Sequence, residues 1–401
     1  MKIVIAPDSF KESLPAPQVA RAIAVGVLRV CPNAQIDICP MADGGEGTVD
    51  AMVAATGGKF ITADVFDPGG GKIRAKFGLL GLSSSDALLP GEVGLTAATV
   101  NAEGEGRGGQ IAVIEMAAAS GLGLIPQDRR DPMRATTFGT GQLIIAAIDA
   151  GAKQIVIGIG GSGTTDGGCG CAQALGVEFY NNDGEVGIQG LGAAGLGDIA
   201  EIETAGLDER VRRTIIRVAC DVENPLTGPE GAATVYAPQK GATQEMVIEM
   251  DANLTHLAKI IREQMGVEVE QLPGAGAAGG LGAGLVAFAG ASLENGGKII
   301  ADSVGLNRRL HGADLCFTGE GKIDSQSRYG KVPVRVATLA AQHGVSTVCI
   351  AGIATDDAPR ELFRDLVTLV DEQTTSEQAI KDPEPILADR AEQAMRDFLS
   401  V

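Results

Sequence analysis

Apolar positions along this chain follow two alternating patterns. Short unbroken runs appear first: residues 2–6 (KIVIA) stop at Pro7, and residues 35–39 (QIDIC) stop at Pro40. Runs of this length, closed by a turn residue, predict strands. Between them Val19, Ile23, Val27 and Val30 fall on one helical face, with Pro15 suited to the first turn. Residues 47–56 predict a second helix. Strand, helix, strand, helix implies a parallel sheet. The far end resumes the same order, with strands over 314–318 and 347–351 and helices over 330–342 and 385–398. The middle is richer in glycine and predicts its own strands over 111–116, 154–159 and 214–220. The expected fold is α/β: a Rossmann-like parallel-sheet domain built from both termini (1–60 and 290–401), with a second α/β domain (61–289) inserted.

Two stretches break the pattern. Residues 83–110 are biased toward Gly, Ser, Ala and Glu and read as a surface excursion. Residues 274–293 carry no charge but hold seven Gly and seven Ala, which is too weakly apolar for a membrane span. They predict a glycine loop feeding a buried helix.

Composition narrows the function. The 401 residues include 57 Gly but no Trp and three Tyr, so the core is aliphatic. The net charge of −19 repels nucleic acid and anionic membranes, so neither is an expected partner. An anionic small substrate needs a pocket with its own Lys and Arg. Seven scattered Cys without C-x-x-C and three isolated His give no zinc pattern and suit reduced thiols. The opening apolar run is too short for a signal peptide. A cytoplasmic protein is expected, with homo-oligomerisation left open.

The chemistry concentrates where strands end. Residues 7–13 (PDSFKES) carry Asp8, Ser9 and Lys11, and residues 40–48 (PMADGGEGT) carry Asp43, Gly44 and Gly45. Residues 160–168 (GGSGTTDGG) carry Gly160, Gly161, Ser162, Thr164 and Asp166. Residues 318–327 (TGEGKIDSQS) carry Glu320 and Asp324. Ligands of parallel sheets bind outside the carboxyl ends of strands. Glycine lets backbone N–H groups approach phosphate, carboxylates hold Mg²⁺, lysine neutralises a phosphoryl group, and aspartate accepts a hydroxyl proton. Together these loops point to phosphoryl transfer. G-x-x-x-x-G-K-[ST] is missing, which disfavours a P-loop. G-x-G-x-x-G at Gly158, Gly160 and Gly163 recurs elsewhere in so glycine-rich a chain. Asp166 would also set a negative charge near a pyrophosphate, so an NAD-dependent dehydrogenase is the weaker alternative.

Over nearly its whole length the sequence resembles the bacterial glycerate kinase family, class I type. The resemblance rests on IAPDSFKESL, PMADGGEGT, IEMAAASGL, TTFGTGQLI, IGIGGSGTTDGG, ACDVENPL, YAPQKGA, GAGAAGGLG and TGEGKIDSQS, in that order and spacing. It implies ATP-dependent, Mg²⁺-assisted phosphorylation of D-glycerate, usually at the 2-hydroxyl, in a cleft between two domains. Gly163 and Thr165 depart from the family's usual Ala and Asn, and they are the only support for a non-catalytic sensor of glycerate or nucleotide. On this resemblance Asp43 and Asp166 are expected to supply the general base and a Mg²⁺ ligand, in either order, with Lys11 beside them. Asp221, Glu320 and Asp324 are expected to complete the metal shell. Lys240 and Lys331 would contact phosphate or carboxylate, and Arg328 would grip the glycerate carboxylate bidentately. Asp8, Ser9, Gly44, Gly45, Gly160, Gly161, Ser162 and Thr164 would line the phosphate and substrate. Glu115 interrupts an apolar strand, as a strand-end ligand or an exposed edge residue. Glu12 would face anions between Lys11 and Ser13.

Overall fold

In the computed structural model of this chain, which describes residues 1–11, 13–81, 110–184 and 190–400, the apolar runs form strands and the periodic stretches form helices. Glu12 and nearly all of the 83–110 excursion lie outside the described residues. The strands in chain order are β1 (Lys2–Ile5), β2 (Gln35–Ile38), β3 (Lys59–Phe66), β4 (Lys72–Leu79), β5 (Gln110–Glu115), β6 (Ala152–Gly158) and β7 (Glu178–Tyr180). They continue with β8 (Glu201–Glu203), β9 (Ile215–Ala219), β10 (Ser292–Glu294), β11 (Leu315–Ile323), β12 (Ser346–Ala354) and β13 (Asp365–Thr368).

One sheet runs β2-β1-β11-β12-β13, with every pair parallel. This is the 2-1-3-4-5 order of doubly wound sheets, whose switch point lies between β1 and β11. Alternation along β1 buries its two faces separately. Ile3 and Ile5 pack with Val19 and Ile23 of helix Ala16–Val30 and with Leu387 and Met395 of helix Pro383–Leu399. Val4 faces a different core with Met52 and Ile300.

The second sheet runs β10-β9-β6-β5-β4-β3, parallel from β10 to β5 and antiparallel beyond. Because β10 joins it, this sheet still draws on residues 292–294, past the expected return at 290. Helices Phe138–Asp149, Gln244–Met265 and Ala277–Ala289 share its core. The β3–β4 hairpin and helix Gln244–Met265 go beyond the pattern reading. Most of β3 is exposed or half-buried, so it shows little apolar alternation. The helix does carry a legible stripe, with Val247, Met250, Leu254, Leu257 and Ile261 buried.

β11 runs five residues past its expected end at Thr318. β12 pairs with it as far as Ile323, whereas β1 pairs only as far as Phe317. Past Phe317 the β1 side keeps only a backbone loop contact at Gly319, so the polar run Gly319–Lys322 is tolerated in the strand. Among the described residues, no helix is long and apolar enough to cross a membrane.

Candidate active site

The switch point brings three loops and the polar end of β11 together. The Asp8 amide donates to the Gly319 carbonyl at 2.8 Å, and the Met41 amide donates to the Pro7 carbonyl at 2.8 Å. These bonds lay the loops after β1 and β2 against the polar end of β11. Asp43 closes a turn by accepting the Gly45 amide on Oδ1 at 2.9 Å, and its Oδ2 stands 3.8 Å from Lys11 Nζ. The second sheet arrives through β6. A Cβ on Gly158 would lie 2.3 Å from the Gly44 carbonyl oxygen, so only glycine lets these backbones touch. Gly160 lies against Gly45, and the exposed Gly160–Gly161 turn forms a tip beside Asp43.

Asp8, Asp43, Asp221 and Glu320 therefore share one region, and the charge of Asp43 is felt by the other three. Burial, and then the Asp43 charge, push the Asp8 carboxyl up to about 7, against the Ser9 amide and Lys11. Burial also raises Glu320, opposed by Lys331, whose Nζ lies 3.2 Å from Oε1. Burial raises Asp221 too, opposed by the Gly296 amide, which donates to its Oδ1 at 2.8 Å. Glu320 Oε2 is buried without a hydrogen-bond partner. A buried carboxylate oxygen with no donor is a vacancy that a divalent cation fits. Among the described residues, no three His, Cys, Asp or Glu side chains converge as a metal cage. Mg²⁺ characteristically needs only one or two carboxylates, with phosphate oxygens and water completing its shell.

Several expected site residues sit elsewhere. Asp166 is fully buried and held as an internal anchor, away from the carboxylate cluster. It accepts the Thr137 amide and hydroxyl, both at 2.7 Å, the Gly168 amide at 3.1 Å and the Gly170 amide at 3.2 Å. Burial raises its pKa, and these donors oppose the rise. Thr164 is also fully buried, and its carbonyl accepts Lys240 Nζ. Lys240 is thus an inward brace, 1% exposed, and burial lowers its pKa to about 7. Asp324 caps the short helix Ser325–Tyr329 and pairs with Lys322 at 3.1 Å, so its carboxylate is already engaged locally. Arg328 pairs with Glu361. Glu115 is half-buried and not an exposed edge residue. It accepts the Val49 amide at 2.8 Å and so caps helix Thr48–Thr56 from the end of β5.

Two residues escaped the sequence reading. Asn295 donates to Asp221 Oδ1 at 2.7 Å and accepts Arg335 on its own carbonyl oxygen. Arg335 follows Lys331 by one turn of helix Val332–Gln342, so the i, i+4 spacing from Lys331 was the available signal.

Comparison with known proteins places this geometry in context. The model of the Glycerate kinase family matches residues 3–399. The chain is 47% identical over 358 residues to the glycerate 2-kinase of Escherichia coli K12, covering 89% of this chain and 86% of that one. It is 46% identical over 359 residues to the glycerate kinase of Bacillus subtilis 168, with 89% and 86% covered. The crystal structure of a glycerate kinase 2 from Salmonella typhimurium LT2 superposes with a TM-score of 0.85 at 42% identity, covering 100% of this chain and 98% of that one.

Proposed function

This chain belongs to the glycerate kinase family, and from that premise we propose that it transfers the terminal phosphoryl group of ATP to the 2-hydroxyl of D-glycerate. It is a kinase; the donor, the hydroxyl and the residue roles are our reading. The observation that carries them is the meeting of Asp8, Asp43 and Glu320 with Lys11 and Lys331 at the switch point.

Asp43 accepts the proton of the 2-hydroxyl as its oxygen bonds to phosphorus, and the bond from phosphorus to the leaving ADP oxygen breaks. Asp8 lies near enough to Asp43 for that charge, after burial, to help raise the Asp8 carboxyl to about 7. Lys11 and Lys331 offset phosphate charge, and Gly160 and Gly161 present backbone to the phosphates. Glu320, with Asp43 or Asp221, would hold Mg²⁺, which when bound draws charge from the phosphate oxygens. The two sheets are read as two domains that close on this site. The seven cysteines are all free, which supports a cytoplasmic setting. Gly163 and Thr165, the departures that favoured a sensor, are both buried, with Gly163 packed against Gly121 and Leu122.

Phosphorus NMR of the product from ATP, Mg²⁺ and D-glycerate tests the reading. The expected product is 2-phosphoglycerate, with Asp43→Asn lowering turnover at least ~100-fold in a folded protein. A 3-phosphoglycerate signal would overturn the choice of hydroxyl, and wild-type turnover in the variant would overturn the role of Asp43.

A further inference from the structure

A cavity of about 860 Å³ lies in the second sheet's unit, apart from the carboxylate cluster. Its size is that of a small-molecule pocket. Its walls are aromatic and apolar, with Phe66 and Phe138 tilted 57° at 6.0 Å between centroids, and with Met133, Phe179 and Tyr180 nearby. Arg129 and Arg134 also line it, and both are exposed. Neither forms an ion pair among the described residues, although acidic residues outnumber basic ones, 51 to 32, in this chain. Asp198, also in the lining, offers a carboxylate to hydroxyl donors. Rings, hydroxyl acceptor and cations together match the three parts of a nucleotide: base, ribose and phosphate.

The cavity is also wired to the catalytic loop. The Ile125 amide, in the cavity wall, donates to the Leu122 carbonyl at 3.1 Å, and the Leu122 amide donates to the Gly161 carbonyl at 2.9 Å. One turn of 3₁₀ helix, Leu122–Leu124, separates them, and three residues at a ~2 Å rise span only ~6 Å. A phosphate chain can bridge that distance. Thr136, another wall residue, places its hydroxyl 3.4 Å from Asp166 Oδ2, at the root of the same loop.

We propose that this cavity receives the nucleoside end of the phosphate donor, whose phosphates cross Gly160–Gly161 toward Asp43 and Lys11. The inference rests on the kinase reading for the identity of the donor, but it is tested by binding and not by turnover. Since the chain has no Trp, Tyr180→Trp installs a single reporter in the wall. Titration with ADP should change its fluorescence saturably, and D-glycerate alone should not. Ala194→Trp, at an exposed lining position, serves if the first variant fails to fold. Arg129→Ala/Arg134→Ala should raise the KM for ATP at least about tenfold, with the KM for glycerate little changed. Saturable ADP binding elsewhere, with silent reporters and an unchanged KM for ATP, would overturn the proposal and leave the kinase reading standing. A folded protein whose reporters answer ADP but which never phosphorylates glycerate would overturn the kinase reading and leave the nucleotide cavity standing.

Discussion

Asp166→Asn should weaken the fold before it touches chemistry. The carboxylate is fully buried, and every polar neighbour bonded to it is a donor. Oδ2 takes the Thr137 amide and hydroxyl at 2.7 Å, and Oδ1 takes the Gly168 amide at 3.1 Å. Asparagine keeps one acceptor and turns the other into a donor. With its oxygen in the Oδ2 position, its NH₂ faces the Gly168 N–H, and a buried amide left unsatisfied costs about 1–3 kcal/mol. The two 2.7 Å bonds fall from charge-assisted to neutral strength, a loss of ~1 kcal/mol each. Lys240 also loses the nearby negative charge that favours its ammonium. The sum is about 3–5 kcal/mol, the scale expected for breaking a buried charged network. Urea unfolding followed by circular dichroism should show a clearly lower midpoint at unchanged slope. A wild-type midpoint combined with abolished turnover would refute the anchor assignment and return Asp166 to the reaction itself.

Three further outcomes follow from the same contacts. Lys240 has a folded pKa near 7 against an ordinary value of 10.5, so between those values the unfolded chain binds a proton that the folded chain lacks. Wild-type stability should therefore rise from pH 7 to 9.5 relative to Lys240→Met, by up to a few kcal/mol, and parallel urea midpoints would contradict this. Gly158→Ala drives a Cβ to 2.3 Å from the Gly44 carbonyl and shifts the Asp43 loop, so kcat should fall about 100-fold while far-UV circular dichroism is retained; an unimpaired kcat would deny that the contact sets the site. Deleting residues 84–103 should leave fold and turnover intact, because the Leu80 amide donates to the Ile111 carbonyl at 2.9 Å and β4 and β5 are already antiparallel neighbours. Insoluble or unfolded protein after that deletion would show that the segment packs against something.

Much of the fold was legible because local pattern and burial agree. Ile3, Val4 and Ile5 form an apolar run because β1 is central and covered on both faces, and Val19, Ile23 and Val27 keep helical spacing because one face of their helix is buried. Glu320 was assigned to a loop because its neighbours are glycine and lysine. It lies in a strand because β12 continues the pairing, a long-range effect that composition does not carry.

The candidate site divides along the same line. Residue types and loop positions were written in the sequence: carboxylates, lysines and glycines where parallel strands end. Which carboxylates face one another was not. Asp43 and Asp166 occupy similar glycine-rich loops in the sequence, yet Asp43 stands half-buried beside Lys11 and Asp166 is sealed inside by Thr137, Gly168 and Gly170. Thr164 and Lys240 bond one to the other 76 positions apart, and Arg328 turns to Glu361. The sequence by itself determined the element order and the stock of chemical groups, because these depend on local periodicity and residue type. The tertiary structure alone decided which groups share solvent, charge and burial, because those depend on distances between segments far apart in the chain.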